Sequence, residues 1–251
     1  MEQKDKNGLT EKEFLERYDK ERYEKPAVTV DMLIFTVNRE KDYALELLLI
    51  ERGGHPFLGK WAIPGGFVKM EESLEEAASR ELKEETGLSD IYMEQLYSFG
   101  DVGRDPRMRV ISVAYMALVP KEKLKPIAGD DAVNVKWFKV HQSEKSEELV
   151  FESDDMPKGG GLTGDDLAFD HEKVIKTAIE RLKNKVEYTD IAFELVGEKF
   201  TLTQLQMVFE AILGKKLHKP NFRRSIVNRV QKTDELDTKS SNRPSTLYRK
   251  K

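Results

Sequence analysis

The sequence predicts an α/β domain followed by a smaller, basic, mainly helical unit. Segments rich in apolar and β-branched residues alternate with helical patterns up to about residue 185. The length of 251 residues is generous for one compact unit and comfortable for two. Charge is also divided. From Lys215 to Lys251, twelve Lys or Arg stand against three Asp or Glu, a balance of +9, which leaves −13 on the rest within a total of −4. An acidic body with a basic tail points to two units with different partners.

Taken in order, LTEKEFLERYDKERYEK (9–25) predicts a polar amphipathic helix, with Thr10 as N-cap and Pro26 as its stop. AVTVDMLIFTV (27–37) and YALELLLIERG (43–53) predict strands. GGHPFLGKWAIPGGF predicts loop, short strand and loop, and the glutamate-rich stretch after it a helix that Gly87 stops in a left-handed conformation. IYMEQLYSFG, MRVISVAYMALV and AVNVKWFKV predict further strands. Residues 141–170, which include PKGGGLTGDD, predict a long loop, and a helix runs from about His171 to Lys185. Beyond it, TDIAFELVG, TLTQLQMVFEAILG and KPNFRRSIVNRV predict three short helices, and DELDTKSSNRPSTLYRKK a basic hairpin or tail.

Apolar residues make up 39% and charged residues 35%, so a real core coexists with a heavily charged surface. No apolar run approaches the roughly 20 residues of a membrane helix. Cysteine is absent, which excludes disulfides and thiolate metal sites. MEQKDKNGLTEKEF lacks the apolar stretch of a signal peptide, so the expectation is a cytoplasmic protein that meets no membrane.

Between Gly65 and Leu88 stand seven glutamates and three basic residues. On a helix, Glu81, Glu84 and Glu85 lie near one face at the C-terminal end. There they repel one another, and the negative end of the helix dipole adds to the repulsion. A solvated charged face is the ordinary meaning of such a run. A bound divalent cation is the other, since Mg²⁺ takes oxygen ligands and keeps positions open for phosphate oxygens. Pro64 and the pair Gly65–Gly66 put a tight turn just before the helix, where a backbone carbonyl can approach a metal.

Residues 66–88 match the whole Nudix box: Gly66, Glu72, Arg80, Glu81, Leu82, Glu84, Glu85, Gly87 and Leu88. The chain therefore resembles Nudix hydrolases, which cleave nucleoside diphosphates linked to another moiety with the help of divalent metal. The resemblance implies a mixed-sheet α/β/α sandwich over residues 26–185; the residue pattern itself makes residues 1–25 a helical arm. The resemblance further implies that Glu81, Glu84 and Glu85 hold Mg²⁺ or Mn²⁺ with the Gly66 carbonyl as a further ligand. Arg80 would orient the acidic side chains and Glu72 brace the loop–helix junction. Glu152, Asp154, Asp155, Asp165 and Asp166 are the candidates for a general base, and the box does not choose among them.

GRDPRMRVISVAY (103–115) places Arg104, Arg107 and Arg109 ahead of a buried strand, where a guanidinium fork could grip phosphate or ribose. The segment resembles the corresponding loop of ADP-ribose pyrophosphatases. Pro106 stands slightly farther from the box than the proline associated with that subgroup. LAFDHEKVI (167–175) resembles the subgroup too. Phe57, Tyr97 and Phe99 could stack an adenine or serve as core.

Residues 186–251 look like a winged helix. Thr201 or Thr203 caps a helix whose Leu202, Leu205, Val208, Phe209 and Ile212 form the buried face. KPNFRRSIVNRV would present Arg223, Arg224, Asn228 and Arg229 to a DNA major groove while Phe222, Ile226 and Val230 face inward. Arg243 and the terminal YRKK would follow phosphates as a wing does. The two-unit layout resembles a Nudix group that includes ADP-ribose-sensing transcriptional regulators of NAD metabolism, and also two-domain ADP-ribose pyrophosphatases. The first expectation is Mg²⁺-dependent hydrolysis of ADP-ribose to AMP and ribose 5-phosphate. The alternative is a regulator that binds double-stranded DNA and takes ADP-ribose as effector, and both can hold in one protein. Hydrolysis of a sugar nucleotide or NADH is a third reading. Relatives of this type imply a homodimer.

Overall fold

The computed structural model describes residues 3–39, 42–89, 91–123, 132–143, 148–156, 161–238 and 244–251. Strand β1 (Ala27–Val37) lies in the middle of a mixed sheet and is buried along most of its length. On one side it pairs in parallel with β6 (Val110–Leu118), which carries β5 (Met93–Phe99) antiparallel at that edge. On the other side it pairs antiparallel with β2 (Leu45–Arg52), followed by β7 (Ala132–Gln142) and β8 (Leu149–Glu152). Two short strands complete the sheet: β3 (Trp61–Ala62) on β2 and β4 (Gly65–Phe67) on β1.

The continuous apolar run of β1 is explained by burial on both faces. Val30, Met32 and Ile34 pack with Ala77, Ala78 and Leu82 of α2 (Leu74–Thr86). Leu33, Phe35 and Val37 join the cluster that holds Val174, Ile175, Ala178 and Leu182 of α3 (His171–Val186). The result is the α/β/α sandwich expected from the sequence. Helix α2 starts at a capping box between Ser73 and Glu76 and stops at Gly87, whose φ of 71° suits a residue without a Cβ.

The C-terminal unit is a winged helix. A 3-10 turn at Ile191–Leu195 leads to α4 (Leu202–Leu213), capped by Thr201 with Gln204. Helix α5 (Lys219–Ile226) follows, and β9 (Val230–Asp237) and β10 (Ser245–Lys250) form an antiparallel hairpin. Phe193, Phe200, Leu205, Val208, Ile212 and Phe222 belong to the same buried cluster as Leu33 and Phe35 of the sheet. One apolar core thus runs from the sheet through α3 into the winged helix. Arg39, after β1, adds a polar tie by donating from its guanidinium to the Val196 carbonyl.

Three expectations need correction. The N-terminal helix α1 covers only Glu11–Arg17; its Thr10–Glu13 capping box forms, but none of its residues is buried, so no packing extends it. The expected long loop contains β8, because Leu149 and Phe151 alternate into the core; residues 157–160 of that loop lie outside the described residues. Helix α5 stops at Ile226, so Asn228 and Arg229 sit in the turn after it and Val230 opens a strand. Arg243 lies outside the described residues. Among the described residues, no helix is long and apolar enough to cross a membrane.

Candidate functional site

Glutamates and one arginine gather where α2 faces β4. Glu72 accepts from the Lys69 amide at 2.8 Å and from Arg80 through Nε at 3.1 Å and a terminal nitrogen at 2.8 Å. The paired Arg80 guanidinium and the Lys69 amide hold its carboxyl down to about 2. Glu72 in turn raises the Arg80 pKa further above its already high ordinary value. Arg80 also donates to Glu81 at 2.6 Å, to Glu84 at 3.3 Å and to the Phe67 carbonyl at 3.3 Å. One guanidinium therefore organises three carboxylates and the end of β4.

Glu81 and Glu85 are buried on the inner side of α2, whereas the Glu84 side chain is 53% exposed. Burial raises the Glu81 pKa, and Arg80 partly offsets the rise. Burial, followed by the charges of Glu81 and Glu84, pushes Glu85 up to about 7. The Glu85 Oε2 is buried with no hydrogen-bond partner. Gly66 leaves its space to Glu81, since a Cβ there would stand 2.2 Å from Glu81 Oε1. Crowded carboxylates, an orphaned buried oxygen and a backbone that admits no side chain fit a divalent cation with oxygen ligands. The ligand set is not closed: among the described residues, no three acidic or histidine side chains converge as a ready metal site, and Arg80 bridges Glu81 and Glu84.

A buried polar network lies on the other side of Gly66. Arg104 holds Asp170 at 2.6 and 3.1 Å and reaches Asp31 at 3.5 Å, and Ser112 donates to Asp31. Asp31 is paired across β1–β4 with Gly65. His171, at the start of α3, accepts the Ile63 amide on Nδ1 at 2.9 Å. The strand that leads to Gly66 is thereby bonded to the first residue of α3.

The sequence-predicted residues separate accordingly. Glu72, Arg80, Glu81, Glu84, Glu85 and Gly66 come together. Arg104 does not face a ligand: its side chain is 5% exposed and spent on Asp170 and Asp31. Arg109 donates to the carbonyls of Gly100 and Asp101. Arg107 clasps Asp105 but stays exposed, 5.6 Å from the Phe67 ring and 5.8 Å from the Phe169 ring. Phe99 is core, and Tyr97 lies edge-on to it. Phe57 packs on Phe169 at 4.7 Å. Among the candidate bases, Glu152 ends β8, the sheet edge separated from β1 by β7 and β2. Asp155 pairs with Lys136 of β7, and Asp154 with Lys139. Asp166 caps Thr163, and the Asp165 carbonyl accepts from Lys60. Phe67, Asp31, Phe169 and His171 carry no local sequence signal beyond LAFDHEKVI, which does not single out Phe169 or His171.

On the winged helix, Arg223 and Arg224 are exposed on α5 opposite buried Phe222 and Ile226. Asn228 is exposed beyond the helix end. Arg229 is not free for DNA: it pairs with Asp190 at 2.8 Å, donates to the Thr189 carbonyl and lies over Phe193 at 5.3 Å. Concavities of about 410 and 740 Å³ lie where β7 and α4 meet, and neither is lined by box residues.

Residues 25–157 match the NUDIX domain family, and residues 192–249 the NrtR DNA-binding winged helix domain. The ADPR responsive transcriptional repressor NtrR of Acinetobacter baylyi is 37% identical over 249 residues, covering 97% of this chain and 89% of that protein. The ADP-ribose pyrophosphatase of Methanocaldococcus jannaschii is 39% identical over 168 residues, 66% of this chain and 82% of that protein. Among solved structures, a MutT/nudix family protein from Enterococcus faecalis aligns with TM-score 0.80 at 36% identity, covering 97% of this chain and 94% of that one. Shewanella oneidensis NrtR complexed with a 27mer DNA aligns with TM-score 0.70 at 35% identity, covering 89% and 93%.

The His171 geometry has a pH consequence. Burial lowers its pKa below the ordinary 6.5; Asp31 and Asp170 oppose this, and Arg104 and Arg52 add to it. The unfolded chain then takes up the proton first. Stability from His171 is fully present above pH 6.5 and is lost as pH falls toward the depressed folded value, at no more than about 1.4 kcal/mol per pH unit. His171→Asn keeps an acceptor for the Ile63 amide and cannot titrate. Denaturant melts from pH 7.5 to 5 are expected to show a smaller acid loss in the variant than in the wild type; equal slopes would contradict a neutral His171.

Proposed function

This chain belongs to the Nudix family and ends in an NrtR-type winged helix, and from that premise we propose that it is a DNA-binding regulator whose Nudix domain binds ADP-ribose. The observation that carries the reading is the single apolar core. It joins the glutamate-bearing domain to a unit that exposes Arg223 and Arg224 on a short helix. A basic helix so joined moves with the domain that binds the small molecule. The likeness to an ADPR responsive repressor over 97% of the chain supports the same reading.

In this account α5 enters the major groove, and Arg223 and Arg224 meet bases or phosphates. Asn228 follows from the next turn, and the hairpin lies along the backbone as a wing, with Arg243 as a further candidate phosphate contact. Arg229 instead holds the root of β9 to the 3-10 turn through Asp190. No part of this requires a membrane. A second copy of the chain would occupy the second half-site of a two-fold operator. Binding to the protein's own upstream region is expected to weaken steeply with salt, because cations on the protein release condensed counterions. Arg223→Ala or Arg224→Ala is expected to weaken it by about 5- to 100-fold if the side chain reads a base. A gel-shift titration at several salt concentrations checks this; no binding of the wild type at low salt to that DNA or to upstream regions of NAD-salvage genes would remove the regulator reading.

A second reading, favoured by the orphaned Glu85 Oε2 on the helix that also carries Glu81 and Glu84, is hydrolysis of ADP-ribose to AMP and ribose 5-phosphate. Glu81, Glu84, Glu85 and the Gly66 carbonyl would hold Mg²⁺ or Mn²⁺. Such an ion offsets the diphosphate charge and makes a bound water nucleophilic at neutral pH. Glu72 fixes Arg80, and Arg80 orients Glu81 and Glu84 and holds the Phe67 carbonyl in place. Glu85→Gln keeps shape and helix propensity but removes charge, so Mg²⁺-dependent turnover is expected to fall by at least about 100-fold. Glu72→Gln, which acts through Arg80, is expected to cost about 10-fold. Full turnover in the Glu85 variant would sink this role; a wild type without turnover on ADP-ribose, a sugar nucleotide or NADH would leave the domain as a sensor alone.

A further inference from the structure

We propose that Asp190 and Arg229 are positioning residues for DNA binding: they clasp the end of α5 and the root of the hairpin to the turn after α3, and so fix how the recognition helix sits on the Nudix domain. The proposal rests on the regulator reading above. Arg229 stands three residues beyond Ile226, the last residue of α5, and its amide donates to the Ile226 carbonyl at 2.9 Å. Its Nε and one terminal nitrogen converge on Asp190 Oδ1 at 3.0 and 2.8 Å, and the same terminal nitrogen donates to the Thr189 carbonyl. Lys250, the last residue of β10, reaches the other Asp190 oxygen at 3.4 Å and Glu194 at 3.8 Å. The Arg229 guanidinium and the Lys250 ammonium stand 5.3 and 5.8 Å from the centre of the buried Phe193 ring. The Lys251 amide closes the group on the Arg229 carbonyl at 3.1 Å.

Helix α5 has eight residues, too few to hold its own direction. Phe222 and Ile226 seat its inner side, and polar ties at its two ends set its tilt. Just before the helix, the Leu217 amide donates to Glu210 of α4 at 3.0 Å, and the Leu217 carbonyl accepts from Gln206 of α4 at 2.9 Å. That tie stays inside the winged helix; the one at the other end leaves it. Thr189 donates to the Lys185 carbonyl in the last turn of α3, through its amide at 2.9 Å and its hydroxyl at 2.7 Å. Lys185 pairs in turn with Glu94 of β5, which also accepts from the Tyr92 hydroxyl. The clasp is thus the polar step that registers α5 against α3 and, through Lys185, against the edge of the Nudix sheet.

Neither stability nor charge accounts for this arrangement. The Arg229 and Asp190 side chains are 25% and 49% exposed, and ion pairs so exposed contribute little to folding. In a unit that binds DNA with its cations, Asp190 occupies two of them, Arg229 and Lys250, and adds a negative charge beside them. What the acid contributes is direction. Base edges are read at hydrogen-bond range, so a small tilt of α5 takes Arg223 and Arg224 out of reach. Arginine suits the task because its planar fork meets the carboxylate and the Thr189 carbonyl at once.

Fluorescence-anisotropy titrations of the full chain with its own upstream DNA, at one fixed low salt concentration, test the clasp, with thermal melts alongside. Asp190→Ala releases Arg229 and Lys250 and removes a negative charge, so electrostatics alone predicts tighter DNA binding. The clasp predicts the opposite sign: binding weaker by about 10-fold, within the range carried by one base contact. The melting midpoint is expected to move by no more than about 3 °C, as for an exposed ion pair. Arg229→Lys keeps the charge but loses the fork, so a weakening of about threefold or more is expected where a plain phosphate contact would lose little. Should Asp190→Ala not fold, Arg229→Lys decides by itself. DNA binding by Asp190→Ala as tight as the wild type or tighter, or unchanged binding by Arg229→Lys, would overturn the positioning role. A large fall in melting midpoint alongside the lost affinity would make the clasp a folding contact and overturn it too. A wild type that does not bind the DNA would overturn the regulator reading and the role with it.

Discussion

The continuous apolar core between the sheet and the winged helix is the constraint on which the rest depends. β1 is buried on both faces, so each face needs a cover. α2 supplies one and carries the glutamates; α3 supplies the other and passes its packing on to α4. Because α3 is shared, the C-terminal unit is not hung on a flexible linker. Its position follows from buried side chains such as Phe193, Phe200 and Leu205, whose exposure to water would cost free energy. Arg39 to Val196 and Arg229 to Asp190 add direction to a contact that apolar packing alone would leave less specific.

Charge is arranged around that frame in two ways. On α2, one arginine serves several carboxylates, and Glu85 is left buried with an unmet oxygen. Repulsion tolerated there costs stability, and burial of Glu85 makes the cost larger; a bound cation would relieve both. Around Asp31 and Arg104 the opposite holds: buried charges are fully engaged, and they lock the strand before Gly66 to the start of α3. The site that invites a cation and the helix that reaches the winged helix are thus linked by short polar steps.

Much of this was legible in the sequence where the signal is local. The box spacing located Gly66, Glu72, Arg80, Glu81, Glu84 and Glu85, which come together in the fold. Thr10, and the pair Thr201 and Thr203, marked helix starts, and Gly87 marked a stop; the structure selects Thr201. Runs of apolar and β-branched residues marked most strands. What escaped depends on distant partners. Arg104 reads as a phosphate-gripping loop arginine until Asp170, 66 residues away, is brought beside it. Arg229 reads as part of a DNA-facing helix until α5 ends at Ile226 and Asp190 claims its guanidinium. β8 is only four residues long and was hidden in a Gly-rich polar stretch. Phe169 owes its place to Phe57, Arg52 and Arg107, and no periodicity announces such a meeting.

The central claim is that a nucleotide in the Nudix domain and DNA on the winged helix act on one packed unit. Linkage makes that claim strict: a factor by which ADP-ribose changes DNA affinity must equal the factor by which DNA changes ADP-ribose affinity. The direct measurement is both affinities, each with and without the other ligand, with operator DNA and no divalent metal so that turnover cannot interfere. The account predicts equal factors of about 5 or more, the usual range of an allosteric coupling. Factors of one in both directions, with each ligand bound tightly by itself, would contradict it.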